Sequence, residues 1–140
     1  MPRPVAIGMV DDDGGFKLGK PPRTNGPPGI IETYSHAGGR IGALVELRCE
    51  TDFVARTEEF RTLAREIAMQ IAAMKPTIVG SMDSPDHSSD ALLDQEYIRN
   101  PGMTIRDLIK ETVNQVGEGI WVARFVRFEV GMSNDSTKGG

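Results

Sequence analysis

Four sets of residues in this 140-residue chain have types and spacings that chemistry could use. Gly14-Gly15-Phe16-Lys17-Leu18-Gly19-Lys20 has the spacing of a phosphate-binding loop. In such loops backbone N–H groups cradle the phosphates, and a Ser or Thr after the Lys holds magnesium. Pro21 stands at that place, Pro22 follows it, and the nearest preceding run is Asp11 to Asp13 rather than an apolar strand. The stretch therefore reads as part of a Gly- and Lys-rich arm. Cys49 with His36 or His87 could pair as a thiol hydrolase. No nucleophile motif surrounds Cys49 and no helix start is evident there to lower its pKa, so a structural cysteine is expected. Asp83, Asp86, His87 and Asp90 form an acidic cluster whose spacing fits neither a calcium nor a zinc pattern, which leaves a solvated loop.

The fourth set is Cys49-Glu50-Thr51-Asp52-Phe53-Val54-Ala55-Arg56, where large apolar residues sit among polar ones at a place the chain must turn. Two readings are open from the residues alone. Phe53 and Val54 fold back beneath the helix that follows, or the loop meets a partner.

The elements around this loop follow from periodicity. Ile30 to Tyr34 reads as a short strand, and His36-Ala37-Gly38-Gly39 as a turn. Ile41 to Leu47 alternates, with Ile41, Ala43, Val45 and Leu47 on one side, so the two strands make a hairpin. Thr57 is a good N-cap, and Glu58 and Glu59 suit the positive end of a helix dipole. Phe60, Leu63, Ala64, Ile67, Ala68, Ile71 and Met74 then recur at three- and four-residue steps until Lys75-Pro76. Thr104 caps a second helix with Asp107 three residues on, and Ile105, Leu108, Ile109, Val113 and Val116 form its apolar side. Gly117 and Gly119 stop it.

Ile120 to Val130 is rich in β-branched and aromatic residues and reads as a strand. Val122, Val126, Phe128 and Val130 share one face of a regular strand, with Trp121, Ala123 and Phe125 on the other. Apolar residues on both faces mean double cover or a bulge. The order strand, strand, helix, helix, strand gives an α+β fold: two layers, a three-stranded antiparallel sheet with helices packed on one face. Residues 1–29, with six prolines and six glycines, are expected to be a flexible arm. Residues 30–131 form the core domain, with 77–103 as a linker inside it, and 132–140 a polar tail.

The formal charge of −4 argues against a nucleic-acid binder, and no apolar stretch approaches the length a membrane span needs. One cysteine excludes an intrachain disulfide, which suits a cytoplasmic protein or an organelle interior.

Three blocks carry a resemblance: Arg40 to Arg56, with Cys49-Glu50-Thr51-Asp52-Phe53-Val54-Ala55-Arg56 at its end; Glu58-Glu59-Phe60 through Ile67-Ala68-Met69-Gln70-Ile71-Ala72-Ala73; and Gly117-Glu118-Gly119-Ile120-Trp121-Val122-Ala123-Arg124-Phe125-Val126-Arg127-Phe128-Glu129-Val130-Gly131. In this order they resemble the core of bacterial and organellar elongation factor Ts, and with their surroundings cover about 100 of 140 residues. The resemblance implies a guanine-nucleotide exchange factor, not an enzyme and without a cofactor, that promotes GDP release from elongation factor Tu in translation. It implies that Thr51, Asp52, Phe53 and Val54 form the loop that disturbs the Mg²⁺ ion of that GTPase. His36 matches, more weakly, a histidine of the family's glycine-rich hairpin near the partner. Single-core members pair through their sheets, so a homodimer is a further expectation. The chain departs from the family in two ways. Residues 1–29 lack the pattern of its N-terminal helical domain, and 77–103 is too short for its inserted helices. The alternative is an interaction module that binds elongation factor Tu or the ribosome and retains only this core, without exchange.

Overall fold

The computed structural model describes residues 26–85 and 89–133, together with the backbone of residues 8–10 and 16–18. Gly8–Val10 (β1) pairs antiparallel with Phe16–Leu18 (β2), in a region where composition suggested no element.

The domain is built on a hairpin. Gly29–His36 (β3) runs antiparallel to Ile41–Cys49 (β4), from Gly29 opposite Arg48 to His36 opposite Ile41. Its turn places Ala37, Gly38 and Gly39 in succession at φ of 56°, 69° and 88°. Glycine takes that conformation without the steric penalty of a Cβ, so two glycines here let the hairpin close tightly. The one-turn helix Asp52–Ala55 (α1) and the long helix Glu58–Met74 (α2) follow β4. Thr57 caps α2, its hydroxyl accepting from the Phe60 N–H at 3.2 Å. Phe60, Leu63, Ala64, Ile67, Ala68 and Ile71 lie buried along one face of α2. They cover Ala43, Val45, Leu47 and Cys49, the inward residues of β4. Each large aliphatic or aromatic side chain so buried contributes about 1.5–3 kcal/mol. Lys75 ends α2 at φ 55°, and Pro76 follows.

The stretch read as a linker carries defined structure in its described residues, 77–85 and 89–103. Asp90 carbonyl oxygen accepts from the Thr77 and Ile78 N–H groups, and Ile78 bridges to Ala91 in parallel. A 3₁₀ turn at Leu92–Asp94 leads to Glu96–Tyr97 (β5), which pairs with Asn100–Thr104 (β6). Ala91, Leu92, Leu93 and Tyr97 are core residues. Polarity concealed this, because the polar residues satisfy one another inside. The buried Gln70 amide donates to Gln95 Oε1 (3.1 Å) and Glu96 O (3.0 Å) and accepts from the Ile98 N–H (3.0 Å). Arg106 and Asp94, with side chains 7% and 4% exposed, meet at 2.7 Å, and Arg106 also donates to Ser81 O. Breaking such a pair from one side leaves a buried charge uncompensated, so these contacts fix the segment's path.

Ile105–Val116 (α3) has a complete capping box. Thr104 hydroxyl accepts from the Asp107 N–H (3.1 Å), and Asp107 carboxylate accepts from the Thr104 N–H (3.0 Å). Gly117, at φ 83°, turns the chain into Ile120–Glu129 (β7), which pairs with β4 to give the sheet order β3-β4-β7. The expected fold class holds: helices cover one face of a three-stranded antiparallel sheet.

The face assignment of β7 needs correcting. Glu46 lies opposite Arg124 but Leu47 opposite Val122, so Ala123 is the extra residue of a β-bulge. A bulge reverses which side chains face inward beyond it. Ile120 and Val122 point into the core, while Phe128 and Val130, on the Val122 face of a regular strand, are 62% and 56% exposed. Among the described residues no helix is long and apolar enough to cross a membrane.

Tyr97 offers a stability test. Its hydroxyl donates a short hydrogen bond to Glu66, which Arg99 also pairs at 3.1 Å. Burial, then the bond to Glu66 and its negative charge, push the phenol pKa up to about 12. The neutral phenol is favoured in the fold, so its contribution is whole below the unfolded value near 10 and is lost as pH rises toward 12. Tyr97→Phe is expected to cost about 1–2 kcal/mol at pH 7. Urea midpoints for the two proteins should converge between pH 10 and 12; a deficit constant across that window would contradict this account.

Candidate functional site

The loop after β4 is shaped by two threonine caps placed six residues apart. Thr51 is extended, at φ −135° and ψ 153°, and its hydroxyl accepts from the Val54 N–H at 3.3 Å. Ala55 N–H donates back to Thr51 O (3.2 Å), closing α1 as a single turn. Thr57 N–H and hydroxyl then both donate to Val54 O, at 2.9 and 2.8 Å. The chain passes from one capped turn into the next helix with the N–H groups of Val54, Ala55, Arg56 and Thr57 all paired.

That geometry separates the neighbours. Successive helical residues point about 100° apart, so one turn cannot bury Asp52, Phe53, Val54 and Ala55 together. Val54 and Ala55, 2% and 6% exposed, enter the core, and Phe53 is 74% exposed with Asp52 exposed beside it. Of the two readings open from sequence, folding back into the core holds for Val54 and fails for Phe53. Val54 anchors the turn from below; Thr51 shapes it, Asp52 and Phe53 form its tip.

The sequence reading missed two residues that hold this turn. Glu118, in the loop between α3 and β7, accepts through Oε1 from the N–H groups of Glu50 (3.1 Å) and Thr51 (2.8 Å). Thr51 hydroxyl lies 3.1 and 3.0 Å from its two carboxylate oxygens. In return Glu50 Oε2 accepts from the Gly119 N–H. The available signal was Gly117-Glu118-Gly119 itself, an acid between two glycines, which reads only as a helix stop until the fold sets it beside Thr51. A Cβ on Gly119 would stand 3.0 Å from Glu50 Oε2, so glycine leaves room for the reciprocal bond.

Other candidates separate from this place. His36 is exposed at the far end of the hairpin, its Nδ1 3.0 Å from the Tyr34 hydroxyl and its ring stacked on Tyr34. Eight residue steps of β4 divide the two ends, about 26 Å of strand, so His36 and Phe53 do not share one site. Cys49 is 1% exposed beneath the loop, its thiol donating to Thr51 O at 3.2 Å. A helix does start close by, at Asp52, contrary to the sequence reading. Burial nonetheless pushes the thiol pKa up, and Glu118, Asp52 and Glu50 push it the same way, which disfavours the thiolate a nucleophile needs. His87 and Asp86 lie outside the described residues, as do the side chains of the Gly14 to Lys20 stretch. Among the described residues no three His, Cys, Asp or Glu group as a metal site.

The outer face of the sheet is also open. Ile31, Leu44 and Phe128 are 53%, 41% and 62% exposed there, one from each strand.

Comparison with known proteins agrees with the blocks that frame the loop. The family profile "Elongation factor TS" matches residues 17–90. An elongation factor Ts of Carboxydothermus hydrogenoformans is 41% identical over 138 aligned positions, which take in 74% of this chain and 64% of that relative. The one from Caldanaerobacter subterraneus subsp. tengcongensis is 37% identical over 161 positions, 90% of this chain and 80% of its own length. That of Rubrobacter xylanophilus is 40% identical over 137 positions, 73% of this chain and 70% of the relative. The chain thus spans less than two thirds of the first of these. Since 74% of 140 residues is about 104, roughly 34 of the 138 positions in that alignment have no counterpart here. With the profile matching more than half its length and a relative covered to four fifths, the chain belongs to the elongation factor Ts family of translation factors.

Proposed function

We propose that this chain promotes release of GDP from elongation factor Tu by pressing the Phe53 tip against the surroundings of that GTPase's Mg²⁺ ion. One observation carries the reading: a phenyl ring held 74% exposed on a one-turn helix whose next two residues are buried. A GTPase binds its diphosphate through Mg²⁺ and a loop of backbone amides. Displacing the metal leaves phosphate charge uncompensated and speeds nucleotide escape. The partner achieves this only by binding the nucleotide-free state more tightly, and the coupling is reciprocal. Burying one phenyl ring in an apolar gap supplies about 1.5–3 kcal/mol, roughly a 10- to 150-fold effect when it is realised in one state alone. Asp52, beside the ring, competes for polar partners near the metal. His36, about 26 Å along the strand, makes a second and separate contact with the GTPase.

The exposed apolar residues of the outer sheet face suit a second copy of this chain, so the working form is a homodimer with one Phe53 tip on each subunit. The short matched span favours a second reading. Lacking about 34 aligned positions that the Carboxydothermus relative has, the core docks on elongation factor Tu or on a ribosomal surface without releasing nucleotide.

A fluorescent-GDP release assay on elongation factor Tu decides between them. Phe53→Ala should lower stimulation at least about tenfold while unfolding within about 0.5 kcal/mol of the parent protein. Val54→Ala, which empties a core position, should cost about 2 kcal/mol of stability. Near-normal stimulation by Phe53→Ala would defeat the wedge. A flat assay with the unmodified chain, alongside its co-purification with elongation factor Tu, would select the second reading. For the homodimer, light scattering should give twice the chain mass, and Phe128→Asp should halve it; a monomer at every concentration would remove that part.

A further inference from the structure

Beyond the tip itself, we propose that Glu118 is a positioning residue for Phe53: from the α3–β7 loop it locks the N-cap of the one-turn helix that carries the ring. The inference rests on the wedge reading.

Glu118 belongs to neither β4 nor α1, yet it takes up three donors at the entrance to α1: the N–H groups of Glu50 and Thr51 and the Thr51 hydroxyl. Hydrogen bonds to a carboxylate are about twice as strong as neutral ones. The hydroxyl has one proton. Donating it to Glu118 aims an oxygen lone pair at the Val54 N–H, so the carboxylate also sets the rotamer in which Thr51 caps the turn. Glu50 returns the tie by accepting from Gly119, which fixes the distance between the two loops.

A general stabilising role fits the geometry less well. Glu50, Thr51 and Phe53 are exposed, whereas the core that dominates global stability lies between β4 and α2. Bonds at an exposed cap govern local opening, which has its own, smaller free energy. Removing Glu118 therefore frees the tip and leaves the domain folded.

The test uses the full chain with Glu118→Ala and Glu118→Gln, each also combined with Phe53→Ala. Amide hydrogen exchange at Thr51 and Val54 should rise about tenfold or more in Glu118→Ala, with Leu63 to Ile71 unchanged. In GDP release from elongation factor Tu, the rate at saturation should fall about tenfold and the half-saturating concentration should shift less than about threefold. Glu118→Gln keeps an acceptor oxygen and should restore most of both signals. Once Phe53 is alanine, Glu118→Ala should add nothing, because the two act through one ring.

Unchanged exchange at Thr51 and Val54 overturns the lock whatever the GTPase does. Raised exchange throughout α2, in Glu118→Gln as well as Glu118→Ala, shows a structural role and overturns the proposal. So do losses that multiply between Glu118→Ala and Phe53→Ala. If Phe53→Ala is impaired while Glu118→Ala is not, the positioning role alone fails; if Phe53→Ala is normal, the wedge fails and this role with it.

Discussion

The packing of α2 across the middle strand is the constraint on which the rest depends. Val45, Leu47 and Cys49 on β4 and Phe60, Leu63 and Ile67 on α2 are all essentially inaccessible to water. Once these two surfaces meet, the eight residues from Glu50 to Thr57 must span from the end of a strand to the start of a helix lying over it. The short path leaves room for one turn, and Val54 fills the space under it. A single turn with buried anchors at its third and fourth positions, Val54 and Ala55, turns the side chain before them outward. The exposure of Phe53 is thus a geometric consequence of strand-on-helix packing, and it needs no special bond to the ring itself.

The sheet's other surface has a different origin. With regular alternation, β7 would carry Val122, Val126 and Phe128 on one side, and all three could join the core. One extra residue at Ala123 divides that set. Up to the bulge the strand feeds the core through Ile120 and Val122; beyond it, Arg127 turns inward, its Nε donating to Ala72 O at 3.0 Å near the end of α2. Phe128 is left on the outside, the same face that carries Leu44 and Ile31. The open apolar face follows from a local change in register, and composition alone could not assign those residues to either side.

Much of this was legible in the sequence, for reasons that vary from element to element. The 3.6-residue period of α2 and its cap at Thr57 are local properties, and so were read correctly. The same holds for Thr104 and Asp107, whose reciprocal bonds span three residues. Non-local pairing was not legible. Arg106 with Asp94, and Gln70 with Gln95 and Glu96, bury polar groups that in isolation suggest solvent, so an ordered segment read as a linker. Glu118 escaped notice for the same reason, lying 67 residues from Thr51 in sequence. His36 and Phe53 each stood out by residue type, but only the length of β4 shows that they sit at opposite ends.

A ring exposed on a loose loop would serve poorly as a wedge. Ordering each flexible residue on contact costs about 1–2 kcal/mol in backbone entropy, so four loop residues would consume more than one phenyl ring can return by burial. The observed turn avoids that cost. Its Thr51, Val54, Ala55 and Thr57 N–H groups are already paired, to Glu118, Thr51 and Val54, and its apolar anchor is already in the core. Preorganisation of this kind keeps the energy of burying the ring available for distorting what it meets. In the proposed role the small size of the tip would be no handicap, because what a wedge transmits depends on how firmly its base is held, and here the base is held by Thr51, Val54 and the Glu118 loop.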